Sequence, residues 1–365
     1  MKNKYYSLNA ILSKNATYNV IFGERSNGKS YAVLEYALTD FWNHRNELAI
    51  VRRWSDDFIG KRGQMIFASL EHNGKGENAV TRITNGEYTG IYYFASKWYL
   101  CRYDESGKRE IMDQPFAYGF SITAQEHDKS TSYPWIKNVL FDEFLTRTQY
   151  VADEFVLFMN VLSTIIRDRS DVKIFMLGNT VNRYCPYFNE MGLKHVKDMK
   201  QGTIDVYTYG DSKLTVAVEY AKPNKDGKQS DFYFAFDNPK LNMITGGAWE
   251  LEIYPHCPMK YEHKNICFEY FVSFDGEILH CEIVQKDDCL FTFVHKKTTP
   301  IKDLDRDIIF EVERSPLPNH AQNFFNPVTR IHKKLLEVWK TQKVFYADNE
   351  TGEIMRNYLN TCVSL

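Results

Sequence analysis

The chain has 365 residues, a formal net charge of −2 and a hydrophobic content of 44%. That length exceeds what one hydrophobic core usually supports, so two domains are expected, each with apolar material to spare. The near-neutral balance excludes a wholly basic nucleic-acid binder, and the lack of any run of about 18 apolar residues or a leader pattern predicts no membrane span and a protein that stays in the cytosol of its cell.

Residues 1–16 are polar and aromatic and are expected at the edge of the first domain. Tyr18 to Phe22 reads as a short buried strand, and Ser30 to about Trp42 as a helix with Ala32, Leu34, Ala37 and Leu38 among its apolar positions. Between them Gly23-Glu24-Arg25-Ser26-Asn27-Gly28-Lys29-Ser30 fits G-x-x-x-x-G-K-[ST], the phosphate-binding P-loop, without substitution. Glycines let the backbone form a nest of N–H groups, Lys29 reaches the β- and γ-phosphates, and Ser30 ligates Mg²⁺. ATP and Mg²⁺ are therefore the expected cofactors, with Gly23, Glu24, Arg25, Ser26, Asn27, Gly28, Lys29 and Ser30 as the nucleotide site.

Leu48 to Trp54 reads as a second strand whose end exposes Arg52 and Arg53. These arginines either sit near nucleotide, with Arg53 as the candidate, or cap a strand at the surface. Lys61 and Arg62, between Gly60 and Gly63, suit a loop that touches a phosphate backbone or a plain solvated turn. Residues 78–103 alternate polar and apolar around turn signals and predict β-hairpins, and Phe116 to Thr123 predicts another strand. Ile136 to Phe141 is an apolar strand that runs into Asp142-Glu143, the Walker B pattern. Asp142 is placed to hold Mg²⁺, and Glu143 to orient or deprotonate the attacking water, which favours hydrolysis over a kinase reaction.

Residues 152–166 predict a helix that ends in Arg167-Asp168-Arg169. Arg167 is either a finger entering a neighbouring subunit's site or a basic end complementing the helix dipole. Val172 to Thr180 predicts a strand with Asn179 at its C-terminal end, where ligands of parallel sheets gather, so Asn179 is a candidate sensor of the γ-phosphate. Thr203 to Tyr209 is expected to close the sheet.

In order along the chain stand G-x-R-x-x-G-K-S, Ile50-Val51-Arg52-Arg53, Lys129 before Tyr133-Pro134, Val139 to Phe144, Arg167-Asp168-Arg169 before Leu177-Gly178-Asn179, and Cys185-Pro186-Tyr187-Phe188. Over residues 15–190 this set closely resembles the DNA-packaging ATPases of φ29-like tailed phages, including the arginine at the third P-loop position, Arg25. The resemblance implies an additional-strand (ASCE) P-loop ATPase, an α/β domain with a parallel-core sheet. Such an enzyme works as a homo-oligomeric ring, a pentamer, at the portal vertex of a procapsid and drives double-stranded DNA inward. It also implies that Arg167 is a trans-acting finger, that Lys129 is a second basic residue reaching across the subunit interface, and that Asn179 is the sensor amide. Location in the cytoplasm of an infected bacterium follows, with transient residence on the procapsid, absence from the mature virion, and a structural RNA as one means of docking. Where the family can carry a lysine after the Arg-Arg strand this chain has Ser55-Asp56-Asp57, with Lys61 and Arg62 as substitutes.

The expected domains are 1–210 for the ATPase, 211–258 for a linker and 259–365 for a smaller α+β domain. In the last, Ile266 to Phe274, the Asp275-Gly276 turn, Glu277 to Val284 and Leu290 to Val294 form a β pattern, followed by helices near 326–339 and 353–360. That order fits an RNase H-like nuclease fold, which the resemblance also implies. An active nuclease needs converging carboxylates, whereas Asp275 sits in a turn and Asp287 and Asp288 in a loop, so a vestigial docking domain is expected. Lys296, Lys297, Lys333 and Lys334 either serve docking and DNA contact or are solvated surface. Seven cysteines without a CxxC favour a reducing compartment, and His256, Cys257, His263 and Cys267 fit no common zinc spacing. The competing readings are a large terminase with an active nuclease, a cellular P-loop helicase or translocase, and a nucleotide-gated switch.

Overall fold

A computed structural model describes residues 6–72, 76–124, 131–146, 150–180, 185–210, 212–222 and 254–364. The chain divides into two compact units, Met1–Arg147 with Asp153–Trp249, and Thr148–Ala152 with Glu250–Leu365.

The first unit runs α1 (Asn9–Leu12), β1 (Tyr18–Gly23), α2 (Lys29–His44), β2 (Glu47–Arg52), α3 (Lys61–Met65), α4 (Ala68–Glu71), α5 (Ala79–Ile83), β3 (Gly90–Phe94), β4 (Lys97–Tyr103), β5 (Arg109–Ile111) and β6 (Ala117–Ser121). It continues with β7 (Ile136–Asp142), α6 (Glu154–Ile166), β8 (Lys173–Asn179), α7 (Pro186–Glu190), β9 (Ile204–Tyr209) and β10 (Leu214–Tyr220). Ten strands form one sheet in the order β3-β4-β6-β2-β7-β8-β1-β10-β9, with β5 on β4. From β6 through β10 neighbours are parallel, and the outer pairs β4–β6 and β9–β10 are antiparallel. Strands such as Val139-Leu140-Phe141 and Phe175-Met176-Leu177 are apolar without alternation because both of their faces are covered. On one side α2 lays Val33, Leu34, Leu38 and Phe41 against the sheet, each worth about 1.5–3 kcal/mol when fully buried, with Ala37 packed between them.

Strand β8 lies between β1 and β7, so the loop after β1 and the carboxylates after β7 share one edge with a strand interposed. That is the additional-strand arrangement, and the expected α/β fold with a parallel core is observed. The sheet runs on through β10, which pairs directly with β1, so the boundary expected at 210 falls in the β9–β10 turn and leaves a core strand outside the expected ATPase domain. Most of the expected linker, residues 223–253, lies outside the described residues.

Two local expectations change. Val80 to Thr84 belongs to a helical turn, not a hairpin: Asn78 accepts the Thr81 N–H at 2.9 Å as N-cap, and Ala79 and Val80 are buried. Five alternating residues fit either period. The hairpin is β3–β4, turned by Ala95 and Ser96 with φ of 48° and 58°. The Lys61–Arg62 stretch forms α3, held by the Trp98 indole N–H on the Gly63 carbonyl at 2.9 Å and by the Tyr93 hydroxyl on the Phe58 carbonyl.

In the second unit β11 (Ile266–Phe274), β12 (Glu277–Lys286) and β13 (Cys289–Lys296) form an antiparallel meander. It is extended in parallel by β14 (Ile309–Glu311) and β15 (His320–Ala321) on one side. Beyond α8 (Arg330–Thr341), β16 (Lys343–Tyr346) extends the other side in parallel, and α9 (Asn349–Ser364) follows. The first hairpin turns through Asp275 and Gly276 with φ of 54° and 78°, as the Asp-Gly pair predicts. Helix α8 begins a turn later than its apolar pattern because Thr329 caps it, accepting the His332 N–H at 3.2 Å.

Candidate functional site

The P-loop occupies the turn from β1 into α2. Gly28, the residue before the helix, has φ of 94°, and Ser26 has φ of 58°. Gly23, at φ of 153°, passes so close to Ala221 that a Cβ would lie 3.2 Å from its carbonyl oxygen. Lys29 is buried and folds back on its own loop, with Nζ donating to the Glu24 carbonyl at 2.6 Å and to Asn27 Oδ1 at 3.2 Å. Burial lowers its amino group to about 8, and Asp142 and Glu24 oppose that shift. The Asn27 side-chain NH₂ is buried without a hydrogen-bond partner among the described residues. A buried cation, an orphaned amide donor and a 16-residue helix start all face one place, which is the donor set a polyphosphate needs. Arg25 and Ser26 are exposed on the loop, and Glu24 is buried.

At the end of β7 the Asp142 Oδ1 accepts the Ser30 hydroxyl at 3.3 Å, which brings the expected magnesium ligands together. Desolvation raises the Asp142 carboxyl above its usual range, and Arg52 pulls it back. Because β2 and β7 are parallel neighbours with Val51 opposite Phe141, Arg52 emerges beside the carboxylates. It binds both, Asp142 Oδ2 at 3.0 Å and Glu143 Oε2 at 3.1 Å. Glu143 is exposed and has φ of 63°, a conformation that turns its side chain away from the strand direction. Asn179 ends β8 opposite Gly23, at the same edge as the loop.

Arg53 faces elsewhere. Its guanidinium grips Glu154 through two 2.7 Å bonds and donates to the Phe144 carbonyl at 3.1 Å, while the Tyr187 hydroxyl donates to Glu154 at 2.9 Å. Arg52 ends β2 and Arg53 is the first residue past it, so the chain turns one arginine of the pair to the carboxylates and commits the other to the core. The nucleotide-side role expected of Arg53 thus has its geometric counterpart in Arg52. Sequence reasoning could have separated the two from the paired register of β2 and β7, which it did not have.

Arg167 follows α6 with φ of 52° and donates to the Thr131 carbonyl at 2.9 Å. Arg169 donates to the carbonyls of Tyr133, Pro134, Ile136, Ile165 and Ile166, a structural brace that the sequence did not reveal. Thr131 and Ile136 lie at the N-terminal end of β7, whereas Asp142 ends it, so the seven-residue strand separates the backbone around Arg167 from the carboxylates by about 20 Å. Lys129 lies outside the described residues. Lys61 and Arg62 are exposed on α3, beside the exposed Ile59 and Met65. The four zinc-cluster candidates show no joint site: Cys257 Sγ contacts the Met259 carbonyl and His256 the Tyr346 carbonyl.

Residues 103–243 match the model of the Podovirus DNA encapsidation protein (Gp16) family. The DNA packaging protein of Bacillus phage phi29 is 23% identical over 191 residues, which are 51% of this chain and 50% of that protein. The chain thus spans about half the length of the curated relatives it matches. Over its whole length it is similar to the solved Phi-28 gp11 DNA packaging motor, with a TM-score of 0.53, 18% identity, and coverage of 99% of this chain and 98% of that one. It shares the fold of the φ29-type packaging motors. The bacteriophage Phi-29 viral genome packaging motor assembly gives a TM-score of 0.54 at 16% identity, covering 97% of both chains. The resemblance carried by the motifs therefore holds at the level of fold.

Proposed function

We propose that this chain is the ATP-hydrolysing subunit of a ring motor that drives double-stranded DNA into a phage procapsid. The observation that carries the reading is the meeting of the Gly23–Ser30 loop with Asp142 and Glu143 at one sheet edge, through the 3.3 Å contact of Ser30 and Asp142. The full-length likeness to packaging motors supplies the rest of the context.

ATP with Mg²⁺ would supply the phosphoryl bond whose hydrolysis drives movement, and the residues present fit both. Lys29 exchanges the carbonyls of Gly23 and Glu24 for phosphate oxygens. Ser30 and Asp142 present two oxygens to the metal, and the P-loop amides fix the chain of phosphates. Glu143 takes or orients the proton of the attacking water once Arg52 lets it go, and Asn179 reports on that position from the adjacent strand end. Arg167 serves a neighbour's site, since the length of β7 separates its backbone from its own carboxylates, and Lys129 joins it. Lys61 and Arg62 are the DNA contacts.

A pentameric ring on the portal, with or without a structural RNA, is the working assembly, formed in the cytoplasm of the infected host. The C-terminal unit is a vestigial, RNase H-like docking domain, because Asp275 and Asp287 take positive φ in hairpin turns and so serve conformation.

Two substitutions test the site. Lys29→Ala abolishes nucleotide binding, while Glu143→Gln binds ATP with ordinary affinity and loses turnover by about two orders of magnitude or more. An unchanged rate in Glu143→Gln rejects the catalytic assignment. Cleavage of plasmid DNA by the wild-type protein with Mn²⁺ would reject the vestigial reading of the second unit.

A further inference from the structure

One face of the C-terminal sheet brings together three side chains that the motor reading does not use. His280 and Glu282 are two apart on β12, so strand alternation puts both on the same face, and His295 on β13 is the direct partner of His280 across the ladder. One donor atom from each lies within 4.8 Å of the others. His295 Nε2 is 3.5 Å and His280 Nδ1 is 4.0 Å from the same atom, Glu282 Oε1. The side chains of His280, Glu282 and His295 are 15%, 12% and 31% exposed, so all three are partly sheltered from solvent.

The surrounding bonds aim these atoms at one point. His295 Nδ1 lies 3.0 Å from the Lys296 carbonyl, which can only accept, so Nδ1 carries the proton. With Nδ1 committed to that carbonyl, His295 presents Nε2 to the Glu282 carboxylate, where a proton or a metal cation can be shared between them. The Tyr261 hydroxyl donates to Glu282 Oε2 and leaves Oε1 for the shared point. His280 stacks on Phe271 at 4.8 Å, and its Nε2 is buried with no hydrogen-bond partner among the described residues. The Glu269 carboxylate, 3.7 Å from His280 Nε2, stands where an outer carboxylate orients a ligating histidine.

We propose that His280, Glu282 and His295 bind one Zn²⁺ ion, with an exchangeable water in the fourth position. Tetrahedral zinc with nitrogen and oxygen bonds of about 2.0–2.1 Å needs ligands roughly 3.3 Å apart. The 3.5 Å pair already meets that spacing, whereas the 4.0 Å pair and the two imidazoles, whose donor atoms lie within 4.8 Å, must draw closer around the ion. Two imidazoles with one carboxylate select zinc over Mg²⁺ or Ca²⁺, which prefer oxygen. The Lys297 ammonium, 5.9 Å from the centre of the Phe271 ring, is a positive charge nearby that works against cation binding. The ion would tie β12 to β13. The site lies wholly within the C-terminal unit and does not depend on the ATPase reading.

The full-length protein is stripped with chelator, loaded with Zn²⁺, desalted, and its metal content measured by mass spectrometry. One zinc per chain is expected in the wild type. In His280→Ala and in Glu282→Gln, which alter direct ligands, the zinc affinity falls by more than the roughly 100-fold that loss of an outer partner can cost. The triple variant Cys257→Ser/Cys267→Ser/Cys289→Ser keeps its zinc. Substituting Co²⁺ gives visible ligand-field bands without the near-ultraviolet charge transfer of a thiolate. Circular dichroism with chelator present checks that each variant folds. A wild type that takes up no more zinc than His280→Ala overturns the proposal, as do zinc lost with the cysteines or a thiolate band.

Discussion

At the residue scale, Lys29 and Arg53 each carry a charge into the interior and resolve it differently. Lys29 meets only carbonyls and one amide oxygen, and its amino group falls from 10.5 to about 8. Between those values the unfolded chain binds a proton that the native chain does not, so stability without nucleotide rises with pH across that window. Binding a triphosphate needs the charged lysine. Nucleotide binding near pH 9 should therefore take up close to one proton per site, and affinity should fall as pH rises beyond about 8. Titration calorimetry in buffers of different ionisation heat measures that uptake, and none at pH 9 contradicts the account. Arg53 instead forms a buried pair with Glu154, the two side chains being 9% and 1% exposed. Arg53→Ala leaves a buried carboxylate without its partner and should cost about 3–5 kcal/mol in urea unfolding. Arg53→Met/Glu154→Leu should recover most of the loss, and equal destabilisation in both variants would count against a charge-pair origin. The Arg-Arg pair was visible in the sequence as two exposed candidates. Which one meets the carboxylates depends on strand register, and that is a property of the sheet.

At the element scale, the strands carrying chemistry were legible because parallel core strands are unbroken apolar runs that end in polar residues. The P-loop strand, the Asp142 strand and the Asn179 strand all lie where their composition put them. Their order was less legible, since no local signal states that β8 lies between β1 and β7 or that β10 flanks β1. The segments misread from sequence are short ones, α3 and α5, whose form is decided by tertiary anchors. Gly63 is such an anchor: a Cβ there would lie 2.5 Å from Tyr93 Cζ and 2.9 Å from the Phe58 carbonyl oxygen. Gly63→Ala should destabilise the protein by about 1–3 kcal/mol and loosen the presentation of Lys61 and Arg62. Thermal unfolding measures the first effect, and an unchanged midpoint would show that α3 is not held as described.

At the scale of the whole molecule, the Arg167 backbone lies about one strand length from Asp142, and the proposed motor requires it to serve a neighbour's site. Arg167→Ala and Glu143→Gln should each be inactive alone. Mixed, they should regain a fraction of activity, because an intact arginine can meet an intact glutamate across an interface. No recovery at any mixing ratio would count against a trans finger. The central claim is tested most directly by steady-state ATP hydrolysis, with and without double-stranded DNA, across protein concentration. The account predicts a rate per subunit that rises with both, as sites close between neighbours on DNA. A rate indifferent to both would contradict it and leave a nucleotide-binding protein without a motor.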